Sequence, residues 1–248
     1  MPAQLRFGRR SLRVRPGLAL LTVMAAVGFG LLGRWLWHRA AEKRQQLAAF
    51  AAGSQQQLPL HGQSLSSLPR FALVALTGRY DPDHQFLLDN ISHDGRAGYE
   101  VLTPLQLEDG RSVLVNRGWL PLRDAQRTQL PDVAMGNAAT LPQSLRARVD
   151  ELPVSGLAAG RAPPATDQRW PKLTSFPTTV ELSAALGRKL ESRQLLLAAD
   201  QASGYLRDWQ PPNPEFGPER HISYAIQWWS LATLALVLYF VVNLEKSR

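Results

Sequence analysis

The sequence predicts an α+β membrane protein in which two transmembrane helices bracket a small antiparallel β-sheet or partly open barrel with one or two short helices. Three observations support this fold class. An uncharged apolar run lies near each end of the chain, short extended segments lie between the runs, and hairpin-type turn residues separate several of these segments. The chain has no cysteine, so disulfides and thiol chemistry are excluded and the domain must fold by its core alone.

The first apolar run, Gly17 to Gly33, predicts transmembrane helix 1 over residues 17–37. The uncharged run alone gives about 26 Å of helix against a hydrocarbon core of roughly 30 Å, so the helix extends through Trp35 and Trp37, whose indoles favour the interface. The residues that follow are bulky and charged where a signal peptidase requires small ones. We therefore expect a retained anchor rather than a cleaved signal peptide, continued outward as a helix until about Gly53.

The second apolar run predicts transmembrane helix 2 over residues 222–244, a stretch without a charged residue. As a helix it measures about 35 Å, which is enough to span a bilayer. His221 stands directly before this run. An ionisable residue at such a depth is costly without a partner, so His221 is a candidate functional residue.

The distribution of charge predicts the orientation of the chain. The tail of residues 1–16 has five arginines and no acid, and the tail of residues 245–248 is also basic. By the positive-inside rule both tails are cytoplasmic, and residues 38–220 form a periplasmic α+β domain at a bacterial inner membrane. The high pI therefore reflects membrane orientation and does not indicate nucleic-acid binding.

Within the exported domain the clearest local signal is a hairpin of Tyr99–Leu107 and Ser112–Leu120, because Asp109-Gly110 favours a two-residue primed turn. Alternation along the second strand predicts one polar face, and Pro104 must lie at an edge or a bulge. The other predicted elements are a strand over Phe71–Tyr80 with His84–Leu88 as its antiparallel partner, a strand over Ser144–Leu152, a loop over Gly156–Pro177, a helix over Glu181–Leu190 that includes Gly187, and a buried strand over Arg193–Ala199.

Four separated motifs resemble the surfeit locus protein 1 family. They are Leu32-Gly33-x-Trp35 with Arg39 and Lys43; Gly78-x-Tyr80; Gly98-Tyr99 through Val115-Asn116-Arg117-Gly118-Trp119-Leu120-Pro121; and His221-x-x-Tyr224-Ala225-x-Gln227-Trp228. With the two-span topology, the motifs cover nearly the whole chain. The family commonly has Gln after the first Trp, where this chain has Leu36, and residues 124–177 resemble the family only loosely.

The resemblance implies a non-enzymatic assembly factor for haem a-containing cytochrome c oxidase. In bacteria such a protein holds haem a transiently and passes it to the catalytic subunit of the oxidase. The expected partners are that subunit, other assembly factors and membrane lipid. Two alternatives stay open, namely a haem-free scaffold that stabilises an oxidase assembly intermediate and a membrane-tethered hydrolase or metal enzyme.

The predicted haem site lies at the head of the second span, where His221, Tyr224, Ala225 and Trp228 share one helix face. A haem requires an axial nitrogen, aromatic contact and cations for its propionates. We expect His221 to be the axial ligand of the iron, with Tyr224 and Trp228 against the macrocycle. The other predicted haem-binding residues are Trp35, His38, Arg39 and Arg220. For all of these residues, His221 included, the alternative role is that of interface anchors, which are often aromatic and basic.

Two further groups of residues invite a functional interpretation. Arg117 and Trp119 are predicted to contact a partner protein; alternatively they form a structural corner in which Gly118 adopts an unusual backbone angle and Trp119 fills the core. The second group is the acidic and histidine cluster of Asp81, Asp83, His84, Asp89, His93 and Asp94. Carboxylates suit a hard cation, but Asp-Pro-Asp and His-Asp-Gly are ordinary turn sequences, which favours turns.

Overall fold

The structure is a computed structural model that describes the chain apart from residues 1–3, 8–9, 14, 54–56, 61, 124–128, 155–159, 203, 212–216 and 247–248. The elements in chain order are β1 (Gln4–Phe7), β2 (Arg10–Arg13), α1 (Pro16–Ala52), β3 (Gln57–Pro59), β4 (Leu73–Tyr80), β5 (Phe86–His93), β6 (Arg96–Leu107), β7 (Ser112–Pro121), β8 (Gln143–Asp150), β9 (Lys172–Thr174), α2 (Thr179–Leu186), β10 (Leu190–Leu197), α3 (Pro218–Asn243) and β11 (Leu244–Lys246). They form two compact units, residues 1–48 with 210–248, and residues 49–209.

The first unit contains two helices, α1 and α3, that are long and apolar enough to cross a membrane. They include the predicted spans 17–37 and 222–244, except that Leu244 belongs to β11. Strand β2 pairs antiparallel with both β1 and β11. This small sheet puts the start of α1 and the end of α3 at the same end of the unit, so the two helices run antiparallel.

Aromatic side chains of α3 pack against a glycine-containing stretch of α1. The indole N–H of Trp229 donates to the Gly30 carbonyl at 3.3 Å. A Cβ at Gly33 would collide with the same indole, so a small residue is required there. Trp228 lies 5.3 Å from Phe29 between ring centres, and Trp229 lies 5.7 Å from Trp37. Close approach at small residues is a common way for membrane helices to associate.

The second unit is a β-barrel. Strands β4, β8, β10, β7 and β6 form a closed ring, because β4 pairs with β6 as well as with β8. Neighbours in the ring are antiparallel except β10 and β7, which are parallel. Strands β4, β6 and β7 lie side by side and β8 returns to lie beside β4, which makes a five-stranded Greek-key barrel of the OB-fold type. The predicted α+β class with a small barrel is confirmed, and the additional pairing of β4 with β6 closes this barrel.

The barrel interior is filled by alternate residues of all five ring strands, as the two-residue period of a strand requires. The inward-facing residues are Val74, Leu76, Tyr80, Leu105, Leu107, Val113, Val115, Leu145, Ala147, Val149, Leu195 and Leu197. A second cluster lies outside the ring under α2 and consists of Phe86, Leu88, Leu102, Leu114, Leu182 and Leu190. Strand β7 contributes to both clusters. The predicted polar face of this strand is therefore wrong, since residues 112–119 are all buried.

The hairpin between β6 and β7 is confirmed, but the predicted primed turn is wrong. Gly110 has a φ of 83°, whereas Asp109 has no positive φ, and the Gly110 N–H donates to the Leu107 carbonyl at 3.0 Å. This geometry is a type I turn followed by a glycine bulge. The primed turn lies instead between β5 and β6, where Asp94 and Gly95 have φ values of 48° and 72°.

Other local predictions are corrected by the sheet. The segment expected to pair with β4 belongs to β5, which pairs with β6 and β9. Pro104 lies inside β6 and not at an edge or a bulge. On one side of β6 the neighbouring strand changes from β5 to β4 at this position. Gly187 does not continue α2 but ends it in the left-handed conformation, with a φ of 73°. Strand β9 lies in the segment predicted as a loop.

Candidate functional site

The candidate site on α3 starts with His221, in the first turn of the helix. Gly217 precedes the helix in an extended conformation, and Pro218 opens it, where a missing N–H costs no helical hydrogen bond. His221 is half-buried. Its imidazole makes no hydrogen bond or ion pair with any residue that the structure describes. The ring nitrogens are therefore not used by the described part of the fold.

The other members of the predicted stripe on α3 differ in their surroundings. Ala225 is fully buried, Trp228 packs against Phe29 of α1, and Tyr224 is half exposed. Helical periodicity puts His221 on the same side of α3 as Ala225 and Trp228. The imidazole is therefore on the side of α3 that faces α1, and Tyr224 is at the margin of this side.

On α1 the predicted residues lie on the other side of the helix. The contacts with α3 are made by Phe29, Gly30, Gly33 and Trp37. The 3.6-residue period puts Trp35, His38 and Arg39 on the opposite side. Arg39 donates to Glu42 at 3.0 Å and lies 5.5 Å from the centre of the Trp35 ring. The structure therefore does not bring Trp35, His38 and Arg39 together with His221. The candidate haem site then consists of residues of α3 and of the side of α1 that faces α3.

Small side chains lie opposite His221 on α1. Trp229 contacts Gly33, and the helices are antiparallel with the same rise of about 1.5 Å per residue. His221, eight residues before Trp229, is therefore at about the level of Ala40 and Ala41, seven and eight residues after Gly33. Ala40 has an exposed fraction of 1%. On the side of α1 that faces α3, the residue at the level of the imidazole is therefore Ala40, whose side chain is small and buried.

These residues fit an axial haem ligand and an aromatic contact. His221 supplies a half-buried imidazole with no described partner. Trp228 supplies an aromatic ring about two helical turns further along the same face of α3, where it packs against Phe29. Arg220, next to His221 and exposed, is a cation of the kind that binds propionates. The predicted contributions of Trp35, His38 and Arg39 are not part of this arrangement.

Arg117 is buried at one end of the barrel, with an exposed fraction of 4%. Its Nη1 donates to Gln85 Oε1 at 3.0 Å, and the same oxygen accepts a hydrogen bond from Thr103 Oγ1 at 2.9 Å. The guanidinium lies 4.9 Å from the centre of the Tyr205 ring. Burial lowers the pKa of Arg117 from its usual value, and the interactions with nearby tyrosines oppose that change.

Trp119 is also buried and forms part of a corner in the chain. Its indole N–H donates to the Ile91 carbonyl at 3.3 Å, and its ring lies 5.4 Å from that of His93. Gly118 has a φ of 110°, and a Cβ there would lie 2.6 Å from the Leu206 carbonyl oxygen. The geometry fits the corner interpretation. Neither Arg117 nor Trp119 presents an exposed side chain to a partner.

The acidic and histidine cluster is divided among separate local structures. Asp81 binds His84 Nδ1 at 2.8 Å and also pairs with Arg188. Asp94 lies in the primed turn. Within the described part of the chain, no three histidine or carboxylate side chains converge in a way that would hold a metal ion. These placements match ordinary turn chemistry.

Sequence reasoning missed several residues that the structure places at these sites. Trp229, rather than Trp35, makes the contact between the helices, and Gln85 holds Arg117 from a distant part of the chain. Glu100 is a half-buried carboxylate that accepts a hydrogen bond from Asn116 at 2.7 Å. Desolvation raises the pKa of Glu100, and this hydrogen bond opposes the rise. The close Gly-x-x-Gly spacing of Gly30 and Gly33 was a local signal for the helix contact, whereas Gln85 and Glu100 had none.

The fold and the site define a class of protein, namely a membrane protein in which a Greek-key barrel lies in the chain between two apolar helices. A half-buried histidine lies in the first turn of the second helix. The sequence pattern of the SURF1 family matches residues 23–233. That range includes the barrel and most of both helices. The chain belongs to the SURF1 family.

Individual relatives agree with this assignment. The chain is 30% identical over 237 residues to an uncharacterized SURF1-like protein of Mycobacterium bovis, which covers 92% of this chain and 83% of the relative. An uncharacterized SURF1-like protein of Mycobacterium tuberculosis has the same identity and coverage. A SURF1-like protein of Dictyostelium discoideum is 32% identical over 117 residues, which is 42% of this chain and 43% of that protein.

Proposed function

We propose that this protein is an assembly factor for haem a-containing cytochrome c oxidase, which binds haem a transiently and helps its insertion into the catalytic subunit. The observation that carries the proposal is that the SURF1 match extends through the head of α3, where His221 stands half-buried and without a described partner. Other assembly factors and membrane lipid are the further partners. The role requires binding and release and no catalytic residue.

His221 is the proposed axial ligand of the haem iron, and the bound group would supply the redox centre that the oxidase needs. Trp228 offers the macrocycle an aromatic face, Tyr224 borders it, and Arg220 attracts the propionates. The residues of α1 at the level of the imidazole, Ala40 and Ala41, have small side chains. A single histidine ligand suits transient binding, because release must remain possible.

The proposed location is a bacterial inner membrane, with both termini in the cytoplasm and the barrel in the periplasm. Two observations support this orientation. The five arginines of the first tail favour the cytoplasm. The pairing of β2 with β11 keeps the two tails together, as an even number of spans requires.

The proposal is tested by deletion and complementation in the native host. We expect deletion to lower haem a in the membrane-bound oxidase and its activity, wild type to restore both, and His221→Ala to restore neither while the protein accumulates normally. Full oxidase activity in the deletion strain, with no second family member present, would refute a role in assembly.

The haem-free scaffold is the second candidate, and the barrel with its packed apolar core favours it as a platform for another protein. The same strains separate the two functions. If His221→Ala restores oxidase activity fully, the result supports the scaffold function and rules out a requirement for haem binding at His221.

A further inference from the structure

A three-stranded sheet is attached directly to the end of α3. Strand β11 begins at Leu244, the residue after the last residue of the helix, and β2 pairs with β11 on one side and with β1 on the other. Asn243, where the helix ends, has an exposed fraction of 1%, and its side-chain amide donates to the Tyr239 carbonyl at 2.7 Å. The junction is therefore packed, and the sheet lies at the end of a helix that can span a membrane.

The register of the three strands gives the sheet one face that combines leucines with cations. Residues that pair across neighbouring strands lie on the same face, and so do residues two apart along a strand. Two rows of three residues share this face, which we call the leucine face. They are Leu5, Leu12 and Leu244, and then Phe7, Arg10 and Lys246. All six residues are apolar or basic.

The opposite face of the sheet is polar. Its residues are Gln4, Arg6, Ser11, Arg13 and Glu245. Leu244, on the leucine face, has an exposed fraction of 40%, so this face is not covered at that position. An amphipathic element at a membrane surface buries its apolar residues at the boundary of headgroups and acyl chains. The leucine face is therefore the side of the sheet that suits contact with the bilayer.

The two cations of the leucine face lie close to the end of the helix. Lys246 follows Leu244 by two residues, about 7 Å along a strand, and Arg10 is its partner in β2. The attraction between exposed charges extends over a Debye length, about 8 Å at physiological salt. Acidic phospholipids carry a headgroup phosphate and a net negative charge, which arginine and lysine attract. The leucine face thus complements an acidic lipid surface in both charge and apolar character.

We infer that the leucine face docks on the bilayer and binds the headgroup phosphates of acidic phospholipids through Arg10 and Lys246. The inference deepens the proposed role of membrane lipid as a partner, and it rests on α1 and α3 crossing a membrane. The contact holds the start of α1 and the end of α3 at one membrane surface. Arg6, on the opposite face, is not part of it.

The test compares Arg10→Gln with Arg6→Gln in the full chain. Arg6 and Arg10 lie in neighbouring rows of the paired strands β1 and β2 but on opposite faces, so each change removes one positive charge at a similar distance from the helices. A double variant, Arg10→Gln with Lys246→Gln, removes both cations of the leucine face. Native mass spectrometry of the detergent-solubilised protein measures binding of phosphatidylglycerol and of phosphatidylcholine with the same acyl chains.

We expect wild type to bind phosphatidylglycerol more tightly than phosphatidylcholine. Arg10→Gln should lower the affinity for phosphatidylglycerol about fivefold and the double variant about 25-fold, whereas Arg6→Gln should change it less than about twofold. Equal losses in Arg6→Gln and Arg10→Gln, or no loss in the double variant, overturn the inference. A dimer of the full chain that the double variant abolishes also overturns it, because the leucine face then contacts a second copy.

The lipid measurement is independent of the proposed role in oxidase assembly. It requires neither haem nor the oxidase, so a protein without haem that still prefers phosphatidylglycerol in the expected order of variants refutes the haem function alone. A protein that restores the oxidase but shows no preference for phosphatidylglycerol refutes the inference alone.

Discussion

At the scale of single residues, Arg117 and His221 are two polar side chains whose hydrogen-bonding groups are used in opposite ways. Arg117 stands in a run that alternates in polarity, yet it is buried and hydrogen-bonded to Gln85, the residue before β5. His221 stands beside similar basic and aromatic residues, yet it has no described partner. The pairing of each group depends on residues far away in the chain, which no local pattern contains.

Arg117 is expected to stabilise the barrel. Replacement by Met keeps much of the volume but removes the hydrogen bond to Gln85 and the packing of the guanidinium on Tyr205, which we expect to cost about 1–3 kcal/mol. Arg169→Met is the matched control, because the Arg169 side chain is 91% exposed. Thermal unfolding of the full chain in detergent measures both. Equal midpoints for the two variants would contradict the structural role of Arg117.

Tyr80 is expected to tolerate loss of its hydroxyl. The Tyr80 oxygen is buried and has no hydrogen-bond partner among the described residues, so Tyr80→Phe should leave stability at pH 8 unchanged or raise it by up to about 1 kcal/mol. Burial raises the pKa of Tyr80 to about 12, although Arg117 and Arg207 oppose the rise.

The same residue predicts a pH dependence. Since the pKa of Tyr80 is higher in the folded than in the unfolded chain, its protonated form stabilises the fold below about pH 10, and that stability is lost as the pH rises toward 12. Wild type should therefore lose more of its thermal midpoint than Tyr80→Phe between pH 9 and pH 11.5. Parallel losses would show that the hydroxyl is not desolvated.

At the scale of elements, the apolar runs and the β6–β7 hairpin were predictable, because hydrophobic length and a run of extended residues are local properties. The exact turn was not, since Asp-Gly is compatible with both turn types, and the register of the barrel selected a bulge at Gly110 and the primed turn at Asp94-Gly95. β9 and the closure of β4 on β6 escaped prediction because short parallel or closing pairs depend on the whole sheet.

The contact between α1 and α3 depends on the absence of a side chain at Gly33. Gly33→Leu should separate the helices, because its side chain would occupy the position of the Trp229 indole. Gly28→Leu is the control, since a Cβ there meets nothing within 4 Å. A short bismaleimide between Phe29→Cys and Trp228→Cys, in this cysteine-free chain, measures their proximity. Undiminished cross-linking in the Gly33 variant would refute the contact.

At the scale of the whole molecule, the two-span organisation was predictable from hydropathy. The separation of Trp35, His38 and Arg39 from His221 was not predictable. Trp35, His38 and Arg39 were grouped with His221 because both spans meet the same membrane surface. The rotation of α1 about its axis is set by Gly30, Gly33 and Trp37 against α3, and this rotation turns the three residues away. The depth of a residue in the membrane can be predicted from the sequence of its own helix. The direction in which the residue faces depends on the helix against which that helix packs.

The proposed orientation predicts the accessibility of single cysteines placed in the cysteine-free chain. Glu108→Cys, at the exposed tip of the β6–β7 hairpin, should react with a membrane-impermeant maleimide in cells whose outer membrane is permeable. Ser11→Cys, in the first tail, should react only after the inner membrane is opened. Labelling of both positions from outside would contradict a cytoplasmic first tail.

The most direct test of the central claim is the haem content of the purified protein. Wild type, His221→Ala and His38→Ala are purified from cells that make haem a, and the haem-to-protein ratio is measured by absorption and by extraction. The account predicts that wild type and His38→Ala carry haem a and that His221→Ala carries little or none. A folded wild type without haem, or a His221→Ala protein with the wild-type ratio, would contradict it.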